Sequence, residues 1–94
     1  MASTFERERD EWLAFLSVEK GASTHTVSNY RRDVKRYLEY QLQQGHCTYD
    51  AISEQEIEDY LAYLSSGTDG GKAAPSSVAR ALAAIRSFHK YILR

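Results

Sequence analysis

Elements that cross-link or break a chain are scarce in these 94 residues, which contain one cysteine, Cys47, and one proline, Pro75. A single thiol excludes an internal disulfide framework and fits a reducing, cytoplasmic compartment. No apolar run exceeds five residues, far short of the roughly 20 that a membrane-crossing helix needs, so no membrane partner is expected. The first fifteen residues carry Glu6, Arg7, Glu8, Arg9, Asp10 and Glu11, so no signal peptide is expected either. Alternation of period two is absent over any useful length, which argues against strands. Five glycines are present, and three of them fall within residues 65–74, where they mark a loop. What remains is 43% hydrophobic and 27% charged, the balance of one small globular domain with a single core.

A formal net charge of −1 hides a segregation along the chain. Residues 1–19 carry a net −3, residues 20–38 a net +4, residues 39–69 a net −7 and residues 70–94 a net +5. The stretch 39–69 has no Lys or Arg, and the stretch 70–94 has no Asp or Glu. Two basic segments therefore alternate with two acidic ones, and the bulk charge says nothing of their local fields.

Periodicity and capping signals predict four helices. The first runs over about residues 4–20 on Phe5, Trp12, Phe15, Leu16 and Glu19, with Leu13 beside them and Gly21 as terminator. Ser23 caps a second that reaches about Gln43, with a stripe of Val27, Tyr30, Val34, Tyr37, Leu38 and Gln41. Its opposite arc holds His25, Ser28, Asn29, Arg32, Lys35 and Arg36. Ser53 and Glu56 read as a capping box, with Ile52 and Ile57 as a hydrophobic staple, for a third that buries Ile57, Tyr60, Leu61 and Leu64 and stops near Gly67. Pro75 suits the first turn of a fourth that buries Val78, Ala81, Leu82, Ile85, Phe88, His89 and Ile92. Its other side carries Ser76, Ala79, Arg80, Ala83, Arg86, Ser87, Lys90 and Arg94. The expected fold class is all-α, four helices around one core.

The second and fourth helices share a design: an apolar stripe on one side, and cationic, hydroxyl, amide and small residues on the other. Solvent-exposed faces normally mix the two signs, as the Glu-Arg-Glu-Arg-Asp-Glu run of the first helix does. A major groove about 12 Å wide admits one helix, where Arg can bond guanine and Ser or Asn can serve bases or phosphates. Ala79 and Ala83 between Arg80 and Arg86 would allow close approach, and the hydroxyl-rich helix starts would meet phosphates with free N–H groups. The pattern points to nucleic acid. By contrast, the acidic third helix would turn away from phosphate. His46 and Cys47 are adjacent and lack a second pair at ligand spacing, so they read as loop residues; no metal or cofactor is expected.

Three runs also resemble the start of Xer-type tyrosine recombinases and phage integrases. They are Phe15-Leu16-Ser17-Val18-Glu19-Lys20-Gly21-Ala22-Ser23 with Thr26 and Tyr30-Arg31-Arg32-Asp33-Val34, then Ile57-Glu58-Asp59-Tyr60-Leu61-Ala62-Tyr63-Leu64, then residues 77–91. The resemblance implies a SAM-like, core-binding domain over residues 1–94, forming half of a clamp on duplex DNA during integration or chromosome-dimer resolution. It implies DNA contacts from Thr26, Tyr30, Arg31 and Arg32 on the second helix, and from Ser76, Ser77, Arg80 and Arg86 on the fourth. With Ser28, Asn29, Lys35, Arg36 and Lys90 from the charged arcs, these form the candidate site. Two features depart from the family pattern: Ala22 stands where Leu is common, and Ala74 where a capping Ser or Thr is frequent. The family's nucleophilic tyrosine lies in a separate C-terminal catalytic domain, so these residues are expected to be non-catalytic. Tyr30, Tyr37, Tyr60 and Tyr63 have core spacing instead. Implied partners are duplex DNA, that catalytic domain and other recombinase protomers, which the first helix would touch.

Two other functions compete with that expectation. A helical protein-interaction module remains open, since fold does not fix function, although such a module would more often expose aromatic anchors. A helix-turn-helix regulator fits less well, because no tight turn joins a short helix to the fourth.

Overall fold

The computed structural model describes residues 4–46, 52–67 and 73–92. Four helices follow in order: α1 Thr4–Val18, α2 Thr24–Gln43, α3 Glu54–Ser66 and α4 Pro75–Ile92. The all-α expectation holds, and α1 ends two residues earlier than its periodicity suggests. Cys47, Lys72, Arg94 and the side chain of Phe5 lie outside the described residues.

Local chemistry explains the boundaries. The Ser23 hydroxyl accepts from the Thr26 backbone N–H at 3.1 Å, satisfying one free donor at the start of α2. Ser53 and Glu56 form the expected capping box on α3, with the Glu56 carboxylate accepting from the Ser53 backbone N–H at 2.8 Å. Those hydrogen bonds from Ser53 hold the Glu56 carboxyl below its ordinary pKa. Gly67 ends α3 at φ +76°, a left-handed conformation in which a Cβ would be strained.

Helix α2 is central and packs most extensively on α1 and α4. Trp12, Leu13 and Leu16 of α1 meet Val34, Tyr37, Leu38 and Gln41 of α2, Ile57, Tyr60 and Leu64 of α3, and Ala81, Ala84, Ile85 and Phe88 of α4. Trp12, fully buried, stands edge-on to Phe88 at 5.4 Å between centroids and parallel to Tyr30 at 6.0 Å. Its indole N–H donates to Ser87 Oγ at 3.1 Å. Ser87 therefore faces α1 and not the outer side predicted for it, because the indole needs a buried acceptor. Leu61, Val78, Leu82 and Ile92 are half-buried at the rim, and Glu19 is exposed.

The Tyr37 hydroxyl lies 2.8 Å from His89 Nε2 and joins α2 to α4 inside the bundle. Burial pushes the Tyr37 phenol above its ordinary pKa, so it donates to the neutral imidazole. Burial also lowers the His89 pKa below 6.5, with Glu54 partly opposing it. The unfolded chain therefore takes up the His89 proton first as pH falls, and folded stability drops below about pH 6.5 until the lower folded pKa is passed. Thermal melts between about pH 7 and 5 should show a shallower loss of stability in His89→Gln than in wild type. Parallel pH profiles would remove His89 as the cause.

Candidate nucleic-acid interface

A carboxylate supplied by one basic helix anchors the other. Arg80 donates from Nε to Asp33 Oδ2 at 2.8 Å and from Nη2 to Oδ1 at 3.1 Å, a two-pronged pair bridging α2 and α4. The Asp33 side chain is only 10% exposed and that of Arg80 is 36% exposed. Hydrogen bonding to Asp33 raises the guanidinium pKa further. Helical periodicity assigns Asp33 no role and puts Arg80 on the outer face. In the fold Arg80 lies on the flank turned to α2, where Asp33 supplies a buried complementary charge.

One helical turn either side of Asp33 lie Asn29 and Arg36, and one turn either side of Arg80 lie Ser76 and Ala83. The pair thus sets the outer edges of α2 and α4 side by side. On α2 that outer surface carries Ser28, Arg32 and Lys35, all exposed, with Asn29 and Arg36 half-buried. Arg32 donates to Asn29 Oδ1 at 3.2 Å. On α4 it carries Ser76, Ala79, Ala83, Arg86 and Lys90, all exposed, with no acidic residue on the helix. Ser77 is half-buried.

The remaining candidates sit elsewhere. Tyr30 is half-buried and stacked on Trp12, on the core side where its spacing puts it. Thr26 is also half-buried, and its hydroxyl accepts from Ser23 Oγ at 3.0 Å. Arg31 lies on the opposite flank from Asp33, lining a shallow hollow against α1 with Asp10, Leu13, Ala14 and Ser17. Arg86 reaches across to α3 and donates to Glu54 Oε1 at 2.8 Å. Both of those side chains are about 60% exposed, so solvent screens the pair and it holds the arginine only weakly.

Lys90 also lines an open groove of about 500 Å³ between α1, α2 and α4, with Phe15, Lys20, Tyr30 and Tyr91. His46, read as a loop residue, bonds through Nδ1 to Gln41 Oε1 at 2.7 Å. Among the described residues no helix is long and apolar enough to cross a membrane.

Asp33 is the residue of the candidate site that sequence reasoning missed. It is the lone acid within a run of four cations, at the flank of the core stripe. That position was the available signal.

The family described as phage integrase, N-terminal SAM-like domain, matches residues 10–94. The chain is 39% identical over 85 residues to a tyrosine recombinase XerD of Staphylococcus aureus, covering 90% of this chain and 28% of that protein. To the tyrosine recombinase XerD of Corynebacterium glutamicum it is 42% identical over 83 residues, covering 87% of this chain and 27% of that protein. The chain thus spans a little over a quarter of the length of these relatives. No solved structure matches it significantly.

Proposed function

Because the chain belongs to the phage integrase N-terminal SAM-like domain family, we propose that it binds duplex DNA as the core-binding half of a site-specific tyrosine recombinase. The observation that carries this reading is the joined outer surface of α2 and α4. Over residues 24–38 and 75–92 its exposed charged side chains are all cationic. Arg32, Lys35, Arg36 and Lys90 attract the phosphate backbone, and Ser28, Asn29, Ser76 and Ser77 refine register through hydrogen bonds. Ala79 and Ala83 let the α4 axis approach the groove. Arg86 can exchange its exposed Glu54 partner for phosphate at little cost.

Catalysis belongs to another part of the parent protein, which acts in integration or chromosome-dimer resolution with other protomers. This module alone binds weakly, since one half of a clamp buries limited surface.

Titration of labelled duplex at two salt concentrations tests the reading, with an Arg32→Ala/Lys35→Ala/Lys90→Ala variant beside the wild type. The wild type should bind at low salt and weaken as salt rises. The variant should bind about tenfold or more weakly, with a salt slope reduced by about one for each lost contact. Its thermal stability should be unchanged, since none of the three side chains enters the core. No binding by the wild type at low salt would turn the assignment toward a protein-interaction module.

A further inference from the structure

The duplex-binding surface contains one arginine that is unlike the others. Arg80 is held along its Nε–Nη2 edge by Asp33, a carboxylate 90% removed from solvent, while Arg32 bonds a neutral amide and Arg86 an exposed carboxylate. Two consequences follow from that geometry.

First, Asp33 neutralises the Arg80 charge, so the pair adds almost nothing to phosphate attraction. Second, the guanidinium plane is fixed before any partner arrives, and the usual loss of arginine rotamer freedom on binding has already been met in folding. The edge opposite Cδ, formed by Nη1 and the outer hydrogen of Nη2, has no acceptor among the described residues. That edge is a two-donor fork, and a guanine in the major groove presents the matching acceptors, O6 and N7. Ser76, Ala79 and Ala83, exposed one turn or less from Arg80 along α4, have side chains too short to block a base edge.

We propose that Arg80 is the guanine-selecting residue of this surface and that Asp33 is its positioning residue, while the other cations contact phosphate without regard to sequence. This inference rests on the duplex-binding reading and adds specificity to it.

Selection from a duplex pool randomised over one helical turn gives the test. The wild type should enrich a guanine at one position, and replacing that guanine by 7-deazaguanine, which lacks only the N7 acceptor, should weaken binding several-fold. Arg80→Ala combined with Asp33→Asn, which removes both charges of the pair together, should lose about 5- to 100-fold in discrimination at that position and bind unselected duplex with unchanged salt slope. In Asp33→Asn the guanidinium is released: discrimination should fall, and the salt slope on unselected duplex should steepen by about 0.9 as one more charge reaches phosphate. A merely structural Asp33 would weaken binding to every duplex alike and leave the slope unsteepened, which would overturn the proposal. So would a wild-type selection without guanine preference, a result that needs no variant to fold. If the wild type binds no duplex at low salt, the parent reading falls and this inference falls with it.

Discussion

Trp12→Ala should lower unfolding free energy by about 3–5 kcal/mol, the usual cost of truncating a fully buried large aromatic residue. Small domains have only about 5–15 kcal/mol in total, so the variant should be marginally folded at room temperature. The loss comprises the cavity, the edge contact with Phe88, the stacking on Tyr30 and the bond to Ser87, and it loosens α1 from both α2 and α4. Trp12→Phe keeps much of the packing and gives up the indole donor, so it should cost less, about 1–2 kcal/mol. Urea unfolding of both variants is the check, read as a shift of midpoint at constant slope. A loss below about 1 kcal/mol in Trp12→Ala would show that the three-helix junction does not depend on the indole.

Gln41 should show the second large effect. Its amide has no exposure at all, yet it joins three pieces of chain. Nε2 donates to the Glu56 carbonyl at 3.4 Å, which leaves Oε1 to accept from His46 Nδ1–H at 2.7 Å. The bridge pins the end of α2 to the first turn of α3. Gln41→Ala removes both bonds and opens a cavity, with an expected loss of about 2–3 kcal/mol. Gln41→Met fills the space without the bonds and should cost about 1–2 kcal/mol. Calorimetric unfolding separates these terms. A methionine variant more stable than wild type would show that the buried amide is a burden carried by the fold.

Much of this architecture was legible residue by residue. The Ser23 and Ser53/Glu56 caps and the Gly67 stop were readable because each depends on groups within one turn of the chain. The Val34, Tyr37 and Leu38 stripe and the Ala81, Ile85 and Phe88 stripe were readable because a helix turns a fixed angle per residue. The outward cations Arg32, Lys35 and Lys90 followed from the same geometry, as the arcs left over.

Residues at the flanks of those stripes were harder. Arg80 and Ser87 sit where a helix wheel gives nearly equal weight to core and solvent, and both turned inward because a partner was waiting. For Arg80 the partner is Asp33, 47 positions away, and for Ser87 it is the indole of Trp12, 75 positions away. Arg86 was correctly outward, but nothing in its neighbourhood along the chain announced Glu54. Sequence by itself determined four helices, the caps of α2 and α3, the main buried stripes and the sign of charge on each surface, since all of these follow from local spacing and side-chain chemistry. Tertiary structure alone decided which cations remain available and which is clasped, because an ion pair depends on distance in space, and helix packing sets that distance.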